Sequence, residues 1–138
     1  MNTHVITTLY KSEGGSVTVK TATLTAELST NIEVEIPASA TDFQINVAIP
    51  ITSALKAFAF GCSKKTGETG TVTNLTIETN SSSAPADTLT INPTNGVAWS
   101  VGDTMTNPLG TAVTALYVTN AGTAAMNFVG RVLSDPTP

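Results

Sequence analysis

Reactive side chains are scarce in this sequence: one cysteine, Cys62, and one histidine, His4, stand in a chain of 138 residues of which only 12% are charged. A single cysteine excludes an intrachain disulfide, and with it a small cystine-framework fold. Between two phenylalanines and a loop, Cys62 reads as a small core hydrophobe. A single imidazole within a few residues of the N-terminus has neither the partner base nor the held geometry that catalysis requires. Zinc ordinarily needs three or four fixed ligands, and that donor set is missing, so no cofactor or metal is expected. Lysine and arginine number 6 against 10 acidic residues, a net charge of −4, so there is no basic patch to neutralise phosphates and nucleic acid is not an expected partner. No window approaches the roughly 20 apolar residues of a helical membrane span, and Met1 to Tyr10 has no basic segment followed by an apolar run. A membrane partner and a secretory signal are therefore not expected, and synthesis in a cytoplasm is.

Hydrophobic residues nevertheless make up 41% of the chain, too many for a disordered acidic segment and enough for the core of one domain. Apolar residues recur at every second position, and no stretch keeps a helical stripe for three turns. From Ser16 to Leu28, Val17 and Val19 hold one phase, and Ala22, Leu24, Ala26 and Leu28 hold the other. That change predicts a bulge near Lys20 and Thr21. Ile32, Val34 and Ile36 stop at Pro37, and Phe43, Ile45, Val47 and Ile49 stop at Pro50. The short connection between these two runs predicts antiparallel neighbours.

Ala54 to Cys62 is almost continuously apolar and reads as a strand buried on both faces. Ser63 to Gly70 reads as an exposed loop, followed by strands over Val72 to Thr79 and Thr88 to Ile91 with a serine-rich loop between them. Asn95-Gly96 predicts a type I′ hairpin returning through Val97 to Val101. Strands over Ala112 to Thr119 and Ala125 to Leu133, joined at Asn120-Ala121-Gly122, complete the chain. The total is nine or ten short strands. The expected fold is all-β, a single antiparallel β-sandwich over residues 1–138, jelly-roll-like, with residues 1–14 as an N-terminal arm. An immunoglobulin-like strand order stays open beside it.

Few groups compete for a chemical role. Glu33 and Glu35 share a strand face, as a glycosidase carboxylate pair would, yet the alternation with Ile32, Val34 and Ile36 makes them the solvated face of a strand. Asp87 and Asp103 lie in loops without the clustered acids of a calcium site. Lys64-Lys65-Thr66 precedes Gly67 and does not complete a phosphate loop. Trp99 alternates with Val97 and Val101 and is assigned to the packed side, with Tyr10 and Tyr117 as the remaining amphipathic aromatics.

A threonine- and valine-rich chain with so little charge suits subunit contacts, because flat strand surfaces meet without desolvating ions. A homo-oligomer, such as a trimer, is the expected state, held by N-terminal strands. Removing Met1 to Ser12 is expected to weaken it. Contact residues are expected at Val5, Ile6, Leu9 and Tyr10 in the arm. Lys64 and Lys65 are expected to meet an acidic partner, or else to be a solvated loop.

The segment Leu75 to Leu133, especially Leu75 to Leu89, reading LTIETNSSSAPADTL, then Trp99, Asn107-Pro108 and Val113 to Ala121, reading VTALYVTNA, resembles small β-rich virion structural proteins of tailed bacteriophages, of the decoration or cement kind. Ile36-Pro37 to Phe60 fits the same pattern more loosely. The resemblance implies a particle component and transfers no site residues; the expected role is non-enzymatic, on the capsid surface, with the major capsid protein and copies of itself as partners. A tail, neck or head-fibre component is the alternative within that class. A carbohydrate-binding or host-adhesion module, stacking a sugar on Trp99 or Tyr117, is the alternative outside it.

Overall fold

The computed structural model describes residues 2–50 and 53–135, apart from the side chains of Tyr10 and Lys11. Ten antiparallel strands and no helix make up its regular structure: β1 (Asn2–Ser12), β2 (Gly15–Ala26), β3 (Leu28–Ile36), β4 (Phe43–Ile49), β5 (Leu55–Lys64), β6 (Leu75–Thr79), β7 (Thr88–Ile91), β8 (Val97–Ser100), β9 (Val113–Asn120) and β10 (Met126–Ser134). They form two four-stranded sheets, ordered β3-β10-β5-β8 and β4-β9-β6-β7, and a separate two-stranded sheet, β1-β2. Period-two alternation explains how the large sheets meet. Ile32 and Ile36, Ile45 and Ile49, Leu75 and Ile77, Leu116 and Val118, and Met126, Phe128 and Val132 all join one buried cluster drawn from both sheets. The result is a sandwich-like pair of sheets around a shared core. Phe58, Phe60 and Phe128 run through it, with ring centroids 5.2 and 5.5 Å apart.

Between β3 and β10 every connection passes from one sheet to the other except β6 to β7, an order compatible with jelly-roll winding. This winding overturns two pairing expectations. β3 and β4 are not neighbours: β3 pairs with β10 and β4 with β9. The segment joining them crosses the sandwich, with positive φ at Ser39 and Asp42 and with bonds from Ser39 N–H to the Gly122 carbonyl and from Asn120 N–H to the Ala40 carbonyl. Likewise β7 pairs with β6 while β8 pairs with β5, so Asn95-Gly96 closes no hairpin between them. The turn lies at Asn92–Asn95, where the Asn92 side-chain oxygen accepts from the backbone N–H groups of Thr94 and Asn95. Gly96 takes no positive φ; an added Cβ there would stand 2.5 Å from the Phe60 carbonyl oxygen, so the site requires glycine for close approach.

Strand ends differ more modestly. β6 begins at Leu75 rather than Val72, because the chain before it bonds to the turn before β10: Thr123 N–H donates to the Thr71 carbonyl at 3.0 Å. β5 is a strand, but its two faces are unequal, since Phe58 and Phe60 enter the core while Ala59 on the other face is exposed.

The largest departure is the arm. Residue 14 belongs to a two-residue turn, Glu13-Gly14, and the chain returns as β2, whose ladder partner is β1 from Asn2↔Ala26 to Ser12↔Gly15. The arm is thus a hairpin over 2–26. Its register shifts between Thr8 and Leu9, opposite Lys20 and Thr18, which places the extra residue at Val19 beside the expected bulge.

Candidate interaction surface

β2 ends at Ala26, β3 starts at Leu28, and Glu27 alone joins them. The hairpin therefore leaves from the β3 edge of the β3-β10-β5-β8 sheet. Further out, Lys20 Nζ donates to the Asp103 carboxylate and to the Ser100 hydroxyl at the end of β8, the opposite edge. Three strand spacings separate those edges, about 14 Å, and six residues of β2 cover about 20 Å, so the hairpin crosses the outer face of the sheet on a diagonal. Lys20 shares the inward phase of β2 with Ala22, Leu24 and Ala26, and the bulge at Val19 lies just beyond it. Asp103 is held ready for it, because its second oxygen accepts from Ser100 N–H at 2.9 Å. These bonds hold the Asp103 carboxyl below its usual range, the hydrogen bond from Lys20 being the largest cause and that from Ser100 the next.

Beneath the hairpin lies an open crevice of about 790 Å³. The sheet contributes small and aliphatic side chains to it, Ala57, Ala59, Val129 and Leu133, and the hairpin contributes His4 and Ile6. Arg131 also reaches it, donating to the Asn31 side-chain oxygen at 2.7 Å. The hairpin covers the sheet without closing on it.

The outward face of the hairpin is of a different kind. Cross-strand pairs Thr3↔Thr25, Val5↔Thr23 and Thr7↔Thr21 give a flat array of methyl and hydroxyl groups with no charge, every member exposed. Among the described residues the large hydrophobics most open to solvent are Val5 at 65%, Leu9 at 45%, Val17 at 62% and Val19 at 66% in the hairpin, and Val101 at 44% and Met105 at 79% on either side of Asp103; Leu28, at the root, is the other. The tip, five residues beyond Lys20, stands about 16 Å past the tether at the β8 edge.

Of the contact residues expected from sequence, Val5 and Leu9 are exposed on the hairpin, whereas Ile6 is half-buried and faces the crevice. The side chain of Tyr10 lies outside the described residues. Lys64 is exposed at the far end of β5. Lys65 is not brought together with the arm; its amine lies 3.1 Å from both carboxylate oxygens of Glu35, which sits on the solvated face of β3. Sequence reasoning missed Lys20, Ser100, Asp103, Val17 and Val19. A lone lysine at the phase change in β2 was the available signal, but its partner lies 83 residues away.

The other singled-out groups have plain surroundings. His4 is half-buried on the crevice-facing side of the hairpin. Cys62 is half-buried against the core, opposite Phe128, and burial pushes its thiol up. Asp87 accepts from Gly110 N–H at 2.9 Å. Trp99 packs against the core beside Phe58, and Tyr117 is half-buried between Gln44 and Glu78 on the outer face of the other sheet. Among the described residues no three His, Cys, Asp or Glu side chains gather as metal ligands, and no helix is long and apolar enough to cross a membrane. No family model, curated protein or solved structure matches the chain.

Proposed function

We propose that this chain is a non-enzymatic structural protein of a bacteriophage particle, a capsid decoration or cement protein that bridges neighbouring capsid subunits. The observation that carries the reading is the hairpin: a two-stranded sheet outside both large sheets, tethered to one of them, with an uncharged and partly apolar face turned outward. Two-stranded hairpins are marginal by themselves in water. Covering this one with a partner removes exposed Val5 and Leu9 from solvent without desolvating an ion. The resemblance of the 75–133 region to phage virion proteins supplies the setting, with the major capsid protein and further copies of this chain as partners on the capsid surface. Each contact is modest, and many symmetry-related copies add them through multivalency. A tail, neck or head-fibre location uses the same surface at another place on the particle.

Binding to particles stripped of this protein tests the reading. Full-length chain co-sediments with them, and Val5→Asp combined with Leu9→Asp lowers the affinity about tenfold or more, because two charges enter an apolar contact. Unchanged thermal unfolding of the variant separates lost contact from lost fold. Failure of the parent chain to bind, or binding indifferent to the two aspartates, contradicts the proposal.

A further inference from the structure

We infer that the β1–β2 hairpin is exchanged between copies of this chain, so that the hairpin of one copy lies across the β3-β10-β5-β8 sheet of a second copy and the Lys20–Asp103 pair forms between chains. The inference rests on the homo-oligomer within the reading above and gives it a mechanism.

Four observations carry it. First, the hairpin is separable. β1 and β2 form ladders only with each other, and the shared core cluster contains no hairpin residue, so lifting the hairpin breaks no strand pairing and uncovers only one fully buried hairpin side chain, Ala26 beside the hinge. Second, the hinge is short. With Glu27 alone between β2 and β3, the chain must bend sharply to lay the hairpin over its own sheet. Short, bent hinges favour exchange, because straightening relieves the bend and carries the element to a neighbour.

Third, the seat is the same in every copy. The sheet face, Ser100 and Asp103 already fit this hairpin, so the Lys20 tether is regained when a second copy supplies them. Exchange then costs chiefly the entropy of association. Contacts new to the pair offset that cost, and the apolar surface for them is Val17, Val19, Val101 and Met105, which stay exposed on both sides of the tether while the hairpin is seated. Fourth, the seat is incompletely filled. An open crevice of about 790 Å³ under the hairpin is far from the close packing of a protein interior. A straightened hinge lets the hairpin approach the sheet at another angle and settle further into the space.

The test uses the full-length chain. Equal amounts of ordinary and 15N-labelled protein are unfolded together, refolded at high concentration and treated with a carbodiimide, which joins a lysine amine to a touching carboxylate without a spacer. Peptides linked through Lys20 and Asp103 are then weighed. With exchange, about half of them carry one labelled and one unlabelled partner. Linked peptides that are all isotopically uniform overturn the inference, and so does the absence of a Lys20–Asp103 product. Light scattering on the same sample separates the two levels: an oligomer with uniform peptides defeats exchange alone, whereas a monomer also defeats the self-association on which it rests.

Discussion

Asn120 sits where three loops meet, and its side-chain amide is used entirely on backbone groups. Its Nδ2 donates to the carbonyls of Pro37 at 3.0 Å and Ala124 at 2.9 Å, and its Oδ1 accepts from Gly122 N–H at 3.1 Å. The residue has no solvent exposure, so a truncated side chain leaves these groups without water to replace it. Asn120→Ala is expected to destabilise the fold by about 3 kcal/mol, whereas Asn127→Ala, on the outward side of β10, changes stability by less than about 0.5 kcal/mol. Urea unfolding measures both, and equal midpoints would refute the role given to Asn120. Gly122 belongs to the same junction: an added Cβ would lie 2.5 Å from the Thr71 carbonyl oxygen, which is backbone and has little room to retreat. Gly122→Ala is therefore expected to destabilise by about 1–3 kcal/mol through overpacking, with the loss seen in the same urea experiment.

Among the elements, the hairpin depends most on a single pair. The folded-state carboxyl of Asp103 lies below its ordinary value, so the stabilisation it contributes is present above the ordinary carboxylate range and is lost as pH falls through the depressed value. Acidification is thus expected to loosen the hairpin before the sandwich core unfolds. Backbone 15N order parameters for β1 and β2 should fall in acid while those of β5 and β10 hold. Asp103→Asn keeps the shape and removes the charge, so its hairpin should be loose at neutral pH and respond little to acid. His4 and Arg131 also face the crevice, and they are unchanged in this variant. A hairpin that loosens equally in both proteins would assign the effect to groups other than Asp103.

Strand identity was legible because it is written locally. β4 runs from Phe43 to Ile49, as the alternation and Pro50 require, and the bulge in β2 lies at Val19, where the apolar phase changes. Partner choice was not legible. Pro37 to Asp42 and Asn95-Gly96 have the composition of hairpin turns, yet the first crosses between sheets and the second packs glycine against β5. A short connection brings two strands close whether they pair or stack, and only the distant strands β9, β10 and β5 decide which. The same holds for the interaction surface: Val5 and Leu9 could be picked out as arm residues, whereas Lys20 acquires its meaning from Asp103 and from the hairpin turn at Glu13-Gly14.

At the scale of the molecule, the division of labour follows from where the apolar residues stand. The two large sheets bury theirs against each other, leaving strand faces such as that of Glu33 and Glu35 to solvent. The hairpin has only one sheet face to lie on, fills it incompletely and leaves Val5, Leu9, Val17 and Val19 exposed. A low charge content makes that outward face inexpensive to cover, and on the proposed capsid repeated copies would multiply a weak contact. The central claim is that this arrangement serves attachment to a phage capsid. Electron cryo-microscopy of the proposed phage particle tests it most directly: the account predicts density for this chain at junctions between capsid subunits, with the hairpin face at the contact, and density confined to tail or neck, or none on the particle, would contradict it.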